Sequence, residues 1–427
     1  MVVIDRHGHA VLSYEEPNYT CVVLRMTMDA NSRFLVKAFR RYYRDNPPPL
    51  PHRFGRREFG FMFFDRDFMQ RHTAFPRGED LQSFLVSKVP AHCYHSTAYY
   101  QTPGAPTMEE KNWMGADLIF DLDADHLHDV EGMSYGQMLT AVKREMLRLL
   151  DDYLFGDLGF SEEEVRIVFS GGRGYHAHVR KESVLSLGSA ERREIVDYIT
   201  GNGLSDGWAF PFQRTVLSSG KYSKEYRDRG IPDTDSGGWR RRMRLGLEET
   251  VDALEPLGPK DMRKAFPSLK GSTDNALLRL HKELFSAEKG ARGRDNIFRT
   301  GMMTALSKKS QELLVKVMEQ DVKPRIAGEV DEPVTTDVKR LIRLPGSLHG
   351  KSGLMVVPLS YSQLQGFDAL RDAVPDTHGD DDVNVEMRFD AEVELKGETF
   401  RLSGEETVPS YLAVYLLGRR MADLAPP

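Results

Sequence analysis

The stretch DLIFDLDADHL, residues 117–127, constrains this chain more than any other. Its even positions Leu118, Phe120, Leu122 and Ala124 are apolar, and its odd positions Asp117, Asp121, Asp123 and Asp125 are acidic. Successive side chains of a strand point to opposite faces, so the alternation predicts a β-strand with one face in a core. The other face then carries a row of carboxylates ~6.5–7 Å apart along the strand. Like charges at that spacing repel and raise one another's pKa unless a cation lies between them. A hard divalent ion bound through oxygen, Mg2+ or Mn2+, is the natural counter-charge. Taken alone, such an alternation is met more often in an edge strand whose acidic face is simply solvated, so the reading needs support from elsewhere in the chain.

Two further segments supply it. VRIVFSGGRGYHAHV, residues 165–179, reads as a hairpin, with Tyr175, Ala177 and Val179 on one face and His176, His178 and Arg180 on the other. Glycines such as Gly171 permit positive φ, so consecutive backbone N–H groups can converge on an anion. Ser170 adds a hydroxyl, Arg173 a planar fork suited to phosphate, and His176 a ring placed to reach a phosphate oxygen as donor or acid. A plain hairpin that needs glycine at its turn fits the same letters. The third segment, DEPVTTDVKRLIRLPGSLHGKSGL from residue 331, mixes the carboxylates Asp331 and Asp337 with Arg340, Arg343, His349 and Lys351. Its Pro345-Gly346-Ser347 turn can bring His349 back over the strand that carries Arg343. Read singly, it is an ordinary charged loop. Together the three segments hold acidic metal ligands, an anion cradle and phosphate-reaching cations, the equipment of metal-assisted phosphoryl or nucleotidyl transfer.

The rest of the chain frames these segments. At 427 residues, two or three folded units are expected. NSRFLVKAFRRYYRDN predicts an amphipathic helix with Asn31 or Ser32 as N-cap, stopped by NPPPLP. REFGFMFF and HCYHSTAYY read as strands, and SYGQMLTAVKREMLRLLDDYLF as a long helix. From about residue 190 the pattern is mostly helical, with a Gly-, Asp- and Arg-rich loop around 227–244; strands return after Pro333 and a short helix closes the chain. The domain reading is therefore 1–28 as an extension, 29–189 with 325–427 as one α/β unit, and 190–324 as a mostly helical insertion. Two cysteines, Cys21 and Cys93, exclude a disulfide framework and the usual Cys-rich zinc site. No apolar run approaches the ~18 residues of a membrane span, and the start lacks a basic segment followed by a long apolar one. The reading is thus a soluble protein of a reducing compartment. A net charge of −6 neither requires nor forbids a nucleic-acid partner, because local patches set the binding field.

FDLDAD, SGGRGYHAHV and RLIRLPGSLHGKSG resemble, in order, the three motifs of the archaeal and eukaryotic-type DNA primase small (catalytic) subunit. FLVKAFRRYY and RREFGF resemble that family's N-terminal region, so the likeness runs from about Ser32 to Pro358. The resemblance implies an α/β (α+β) primase-type catalytic fold with mixed sheets and a helical insertion. It also implies template-directed synthesis of short primers from NTPs, with dNTPs as a further substrate class, during DNA replication. The implied partners are a primase large subunit in a heterodimer and a single-stranded DNA template, with no membrane, and the implied place is the cytoplasm, with the replication machinery at the nucleoid. Carried over by motif, Asp121, Asp123 and Asp331 are the catalytic metal ligands of a two-metal Mg2+ or Mn2+ site, with Asp337 the second choice for the third carboxylate. Ser170, Gly171, Arg173, His176, Arg343 and His349 match the triphosphate-binding positions. Relatives carry a small zinc knob after the first motif; here HLHDVEGMSYGQM offers His126 and His128 without cysteine, and VPAHCYH lies before the strand, so structural zinc is not expected. The basic clusters RRYYR (40–44) and RRRMR (240–244) are available for template contact, and equally read as solvated faces. A primase-like polymerase of DNA repair or end joining, and a non-catalytic nucleic-acid-binding relative, are the alternative functions. Against the first stands the absence of an attached ligase or nuclease block in this sequence, and against the second the intact carboxylate set.

Overall fold

The first long helix shows how local chemistry sets the frame. Helix α1, Ala30–Asp45, buries Leu35, Ala38, Phe39, Tyr42 and Tyr43 on one side. Its N-cap is Asp29 rather than Asn31 or Ser32: the Asp29 carboxylate accepts the Ser32 N–H at 2.6 Å. An anion there offsets the exposed N–H groups of the first turn. The helix stops at Asn46, immediately before the proline run.

The computed structural model describes residues 2–4, 10–12, 28–127, 132–219, 222–287 and 290–425. In chain order the elements that matter are β1 (Phe59–Phe63), β2 (Arg66–Thr73), β3 (His92–Ser96), β4 (Leu118–Asp123), α2 (Tyr135–Arg148), β5 (Val165–Phe169), β6 (Gly174–Val179), α3 (Ser189–Thr200), α4 (Gly238–Leu254), α5 (Glu332–Thr336), β7 (Leu341–Arg343) and β8 (Val357–Leu359). Two four-stranded sheets carry the argument, in the orders β7-β3-β1-β2 and β8-β5-β6-β4. The α+β class expected from the sequence holds. The strand pairs of these two sheets are antiparallel where mixed sheets were anticipated, because hairpins and returning segments, not crossover helices, join the neighbours.

The apolar side of β4 faces a core, as its pattern predicts. Leu118, Phe120 and Leu122 are buried with Leu139, Val142 and Met146 of α2. Past Arg148 the helix continues as widened π-turns, Leu149–Asp157, which bury Leu149, Leu150, Tyr153 and Leu154. Helices between residues 189 and 326 share that core: Leu247, Val251, Leu277 and Leu314 belong to the same apolar cluster as Tyr153 and Phe169.

Three local readings change. The loop expected around 227–244 is shorter, covering residues 230–237 between a strand, Tyr222–Arg229, and α4, which starts at Gly238. Trp239, Met243, Leu247, Val251 and Leu254 recur at helical spacing and bury one face, which outweighs the local glycine content. VNVEMRFDAEVELKG is two strands, Asp382–Met387 and Ala391–Leu395, in different sheets, which explains its imperfect alternation. HCYHSTAYY likewise divides into β3 and a short strand, Ala98–Tyr100. Of the extension 1–28, residues 2–4 and 10–12 pair antiparallel and most of the remainder lies outside the described residues. His128 and Cys21, weighed for zinc, also lie outside them, as does the side chain of His126. Cys93 is buried against the Tyr43 hydroxyl at 3.5 Å. Among the described residues no helix is long and apolar enough to cross a membrane.

Candidate active site

β4 is the edge strand of its sheet, and its inner neighbour is β6. Their register sets Asp121 opposite His176 and Asp123 opposite Gly174. The glycine turn between β5 and β6 therefore opens at the carboxylate end of β4. The outer edge of β4 meets α5: the Asp331 backbone N–H donates to the Asp121 carbonyl at 3.0 Å. Burial pushes the Asp121 carboxyl up to about 7, and the charges of Asp123 and Asp331 add to the rise, while Arg340 and Arg343 oppose it. Asp121, Asp123 and Asp331 thus share one electrostatic field. Asp337 turns elsewhere and accepts the Lys339 N–H at 2.8 Å on exposed backbone.

The row of four carboxylates read from the strand is shorter in the structure. Asp117 is fully buried, ion-paired to Arg57 at 2.6 Å and hydrogen-bonded by the Tyr99 hydroxyl. Asp125 lies past the strand, in the turn Ala124–His126, and is ion-paired with Arg173. Only Asp121 and Asp123 present their carboxylates from β4 itself toward the site. Among the described residues no three His, Cys, Asp or Glu side chains close around a single metal position. An all-oxygen set of adjacent carboxylates fits a hard ion of the Mg2+ type, which takes one or two carboxylates and completes its shell with water and substrate phosphate. Burial is the first cause of the raised Asp121 pKa, and the charges of Asp123 and Asp331, which such an ion would offset, add to it.

The glycine turn is held from within. Ser170 Oγ accepts the N–H groups of Gly172 and Gly174, each at 3.2 Å, so this hydroxyl builds the turn. Gly171 has φ +74°, and a Cβ there would stand 2.8 Å from the Cβ of His349, so the third segment packs against the turn only because this residue lacks a side chain. Arg173, half-exposed, spans Asp125 and Asp123, with Nε 3.8 Å from Asp123 Oδ1. Its fork is engaged by carboxylates and can turn to phosphate only by exchanging them. His176 is buried beside the first carboxylate. Its Nε2 faces Asp121 Oδ1 at 3.4 Å, and burial followed by the charge of Arg343 pushes its pKa down to about 3.

Arg343 and His349 do meet, through a residue the sequence reading weighed only as a zinc ligand. His92, on β3 beside β7, accepts from Arg343 Nη1 at 2.5 Å and from the Gly350 N–H at 3.2 Å, both at Nδ1. Burial, then Arg343 and Lys351, pushes the His92 pKa down to about 3, which keeps the ring an acceptor. The Arg343 guanidinium also lies 4.6 Å from the centroid of the Tyr94 ring. His349 packs edge-on to His92, ring centroids 4.8 Å apart, and its Nδ1 lies 3.3 Å from Ser352 Oγ, whose hydroxyl donates to the Gly171 carbonyl at 2.6 Å. His92, Tyr94 and Arg340 were thus missed or left unplaced. The one signal was the alternation of HCYHS, which sets His92 and Tyr94 on one face.

Taken together, the site is an acidic edge, a glycine turn and a cationic wall drawn from three remote parts of the chain. The family model for the DNA primase small subunit matches residues 120–361. The chain is 43% identical over 406 residues to the DNA primase small subunit PriS of Methanocella arvoryzae, covering 93% of this chain and 100% of that protein. It is 41% identical to the PriS proteins of Methanosarcina barkeri and Methanothrix thermoacetophila, covering 92% of this chain in each case and 96% and 98% of those proteins.

Proposed function

The chain belongs to the DNA primase small-subunit family, and from that premise we propose that it joins nucleoside triphosphates into short primers on a single-stranded DNA template at Asp121, Asp123 and Asp331. The observation that carries the reading is the convergence of the three segments: Asp331 docked on the Asp121 carbonyl, and His349 seated on Gly171. In this reading the primer 3′-hydroxyl oxygen attacks the α-phosphorus, and the bond from that phosphorus to the pyrophosphate oxygen breaks. A pair of divalent ions, when bound, lowers the pKa of that hydroxyl and offsets charge on the leaving pyrophosphate. Asp121, Asp123 and Asp331 would hold those ions, and Mg2+ or Mn2+ suits their oxygen donors.

The protein's own groups supply the rest. His176, neutral, orients Asp121 through Nε2. Arg343, held by His92 and by the Tyr94 face, meets the triphosphate in a fixed orientation. His349 packs over the glycine turn, whose backbone N–H groups outside the Ser170 bonds donate to phosphate oxygen. Donors set in advance need no rearrangement as charge moves toward the leaving group. A large subunit, the partner that the family's name implies, assists initiation in this reading. The test is incorporation of labelled NTPs on an unprimed single strand with Mn2+ and the large subunit present. Wild type makes short products and the Asp121→Ala, Asp123→Ala double variant makes none; equal synthesis by both would refute the site.

A further inference from the structure

The cluster RRRMR, residues 240–244, is divided by the fold into two kinds of arginine. Arg242 is ion-paired with Asp157, and Arg244 Nε lies 2.6 Å from Glu248. Arg240 and Arg241 form no ion pair among the described residues. Beside them is a cavity of about 480 Å³, away from the carboxylates, lined by Tyr198, Gly201, Trp208, Trp239 and Arg240 among others. Its aromatic walls are fixed. Trp239 is buried and its Nε1–H donates to the Tyr198 carbonyl at 2.5 Å. The Tyr198 hydroxyl donates to Asp157 at 2.8 Å, yet Tyr198 remains 38% exposed. Trp208 is 42% exposed, an unusual state for the largest apolar side chain, and the Arg240 guanidinium lies 5.8 Å from its ring centroid. Gly201, at φ +70°, would place a Cβ 2.8 Å from the Trp239 ring, so the pocket floor requires its absence.

The pocket is joined to the active site by one rigid element. In α3, Arg193 pairs with Glu332 at 3.2 Å, and Glu332 follows Asp331 directly. Tyr198 stands five residues further along α3, about 7.5 Å down the helix axis. Beyond Trp208 the surface continues with Phe212, exposed, with the guanidinium groups of Arg227 and Arg229 at 5.1 and 4.4 Å from its ring centroid.

We propose that this pocket is a second nucleic-acid contact: a base of a single strand stacks on Trp208, and its phosphates meet Arg240 and Arg241. Exposed aromatic rings with unpaired guanidinium groups are the chemistry that holds single strands without regard to sequence, because every base has a π-face and every linkage a charge. Arg240 in the lining and its chain neighbour Arg241 favour a polyanion over an apolar peptide, while Asp197, the acidic residue of the lining, accepts from Asn202 Nδ2 at 3.1 Å. The inference rests on the reading that this chain works on single-stranded template.

The test uses the full chain in EDTA with a labelled oligothymidylate, read by fluorescence anisotropy and by quenching of tryptophan emission. Trp208→Ala weakens binding about tenfold and abolishes most of the quenching. Trp208→Phe, which keeps a stacking ring and guards against loss of fold, stays within about threefold of wild type. The Arg240→Gln, Arg241→Gln double variant flattens the slope of log affinity on log salt by about 1.4, the value for two phosphate contacts on a single strand. Trp208→Ala binding within about twofold of wild type would overturn the proposal and leave the pocket to a protein's aromatic side chain. Trp208-dependent DNA binding in a wild-type protein that incorporates no nucleotide would sustain the pocket and overturn the primer-synthesis reading alone.

Discussion

Replacing Asp121 by asparagine keeps the shape of the side chain and removes the charge where three carboxylates crowd together. In the metal-free protein the Asp121 carboxyl is pushed from 3.8 up to about 7, first by burial and then by Asp123 and Asp331. The folded state therefore holds a proton that the unfolded chain releases, and stability contributed by this group is full below about pH 4 and lost as pH rises to about 7. A shift of that size corresponds to at most about 4 kcal/mol, and the 21% of the side chain left open to solvent lowers it to about 2–4 kcal/mol. Asp121→Asn does not carry that loss. Urea unfolding in EDTA should find the variant more stable than wild type by about 2–4 kcal/mol at about pH 8, with the gap closing toward about pH 4. Saturating Mn2+ should reverse the order, since binding at about 1,000 times Kd adds about 4.1 kcal/mol to wild type and little to the variant. A variant no more stable than wild type at about pH 8, or a gap indifferent to pH, would show that the three carboxylates do not share one field.

Other perturbations separate the parts of the site. Asp331→Asn should lower nucleotide incorporation by about 10²-fold or more, while Asp337→Asn stays within about twofold of wild type, measured as initial rates on a primed template. Arg343→Ala should cost about 10²–10³ in rate, and Arg343→Lys should recover only part of it, because an ammonium cannot span His92, the Tyr94 face and phosphate as a planar fork does. Arg57→Leu leaves Asp117 buried without its cation and should lower stability by about 3–5 kcal/mol, seen as an earlier urea midpoint with an unchanged slope.

What could be read from the chain followed the range of the forces involved. The core face of β4 and the buried side of α1 are local periodicities, and Leu118, Phe120, Leu122, Phe39 and Tyr43 sit where the spacing puts them. The strand pattern could not separate Asp117 from Asp121, because the difference lies in Arg57, sixty positions earlier in the chain. For the same reason His92 was invisible as the partner of Arg343, 251 positions away. The place of His176 beside Asp121 was not legible either, because it is set by the register of β6 on β4. In RRRMR, five letters of similar character divide by helix geometry: Arg244 and Arg242 reach carboxylates, and Arg240 and Arg241 do not. The cap at Asp29 was overlooked because apolar spacing begins only at Phe34, more than a turn inside the helix.

The register of β4 has a consequence for how this locus can vary. Because Leu122 lies between Asp121 and Asp123 and is 2% exposed, losing or gaining one residue between Asp117 and Asp121 would turn the carboxylate side inward and send the oily side to water. Only a bulge that takes up the changed residue would spare the face. Exchange of one letter for another leaves the strand's phase untouched, so this edge tolerates substitution more readily than a change of length.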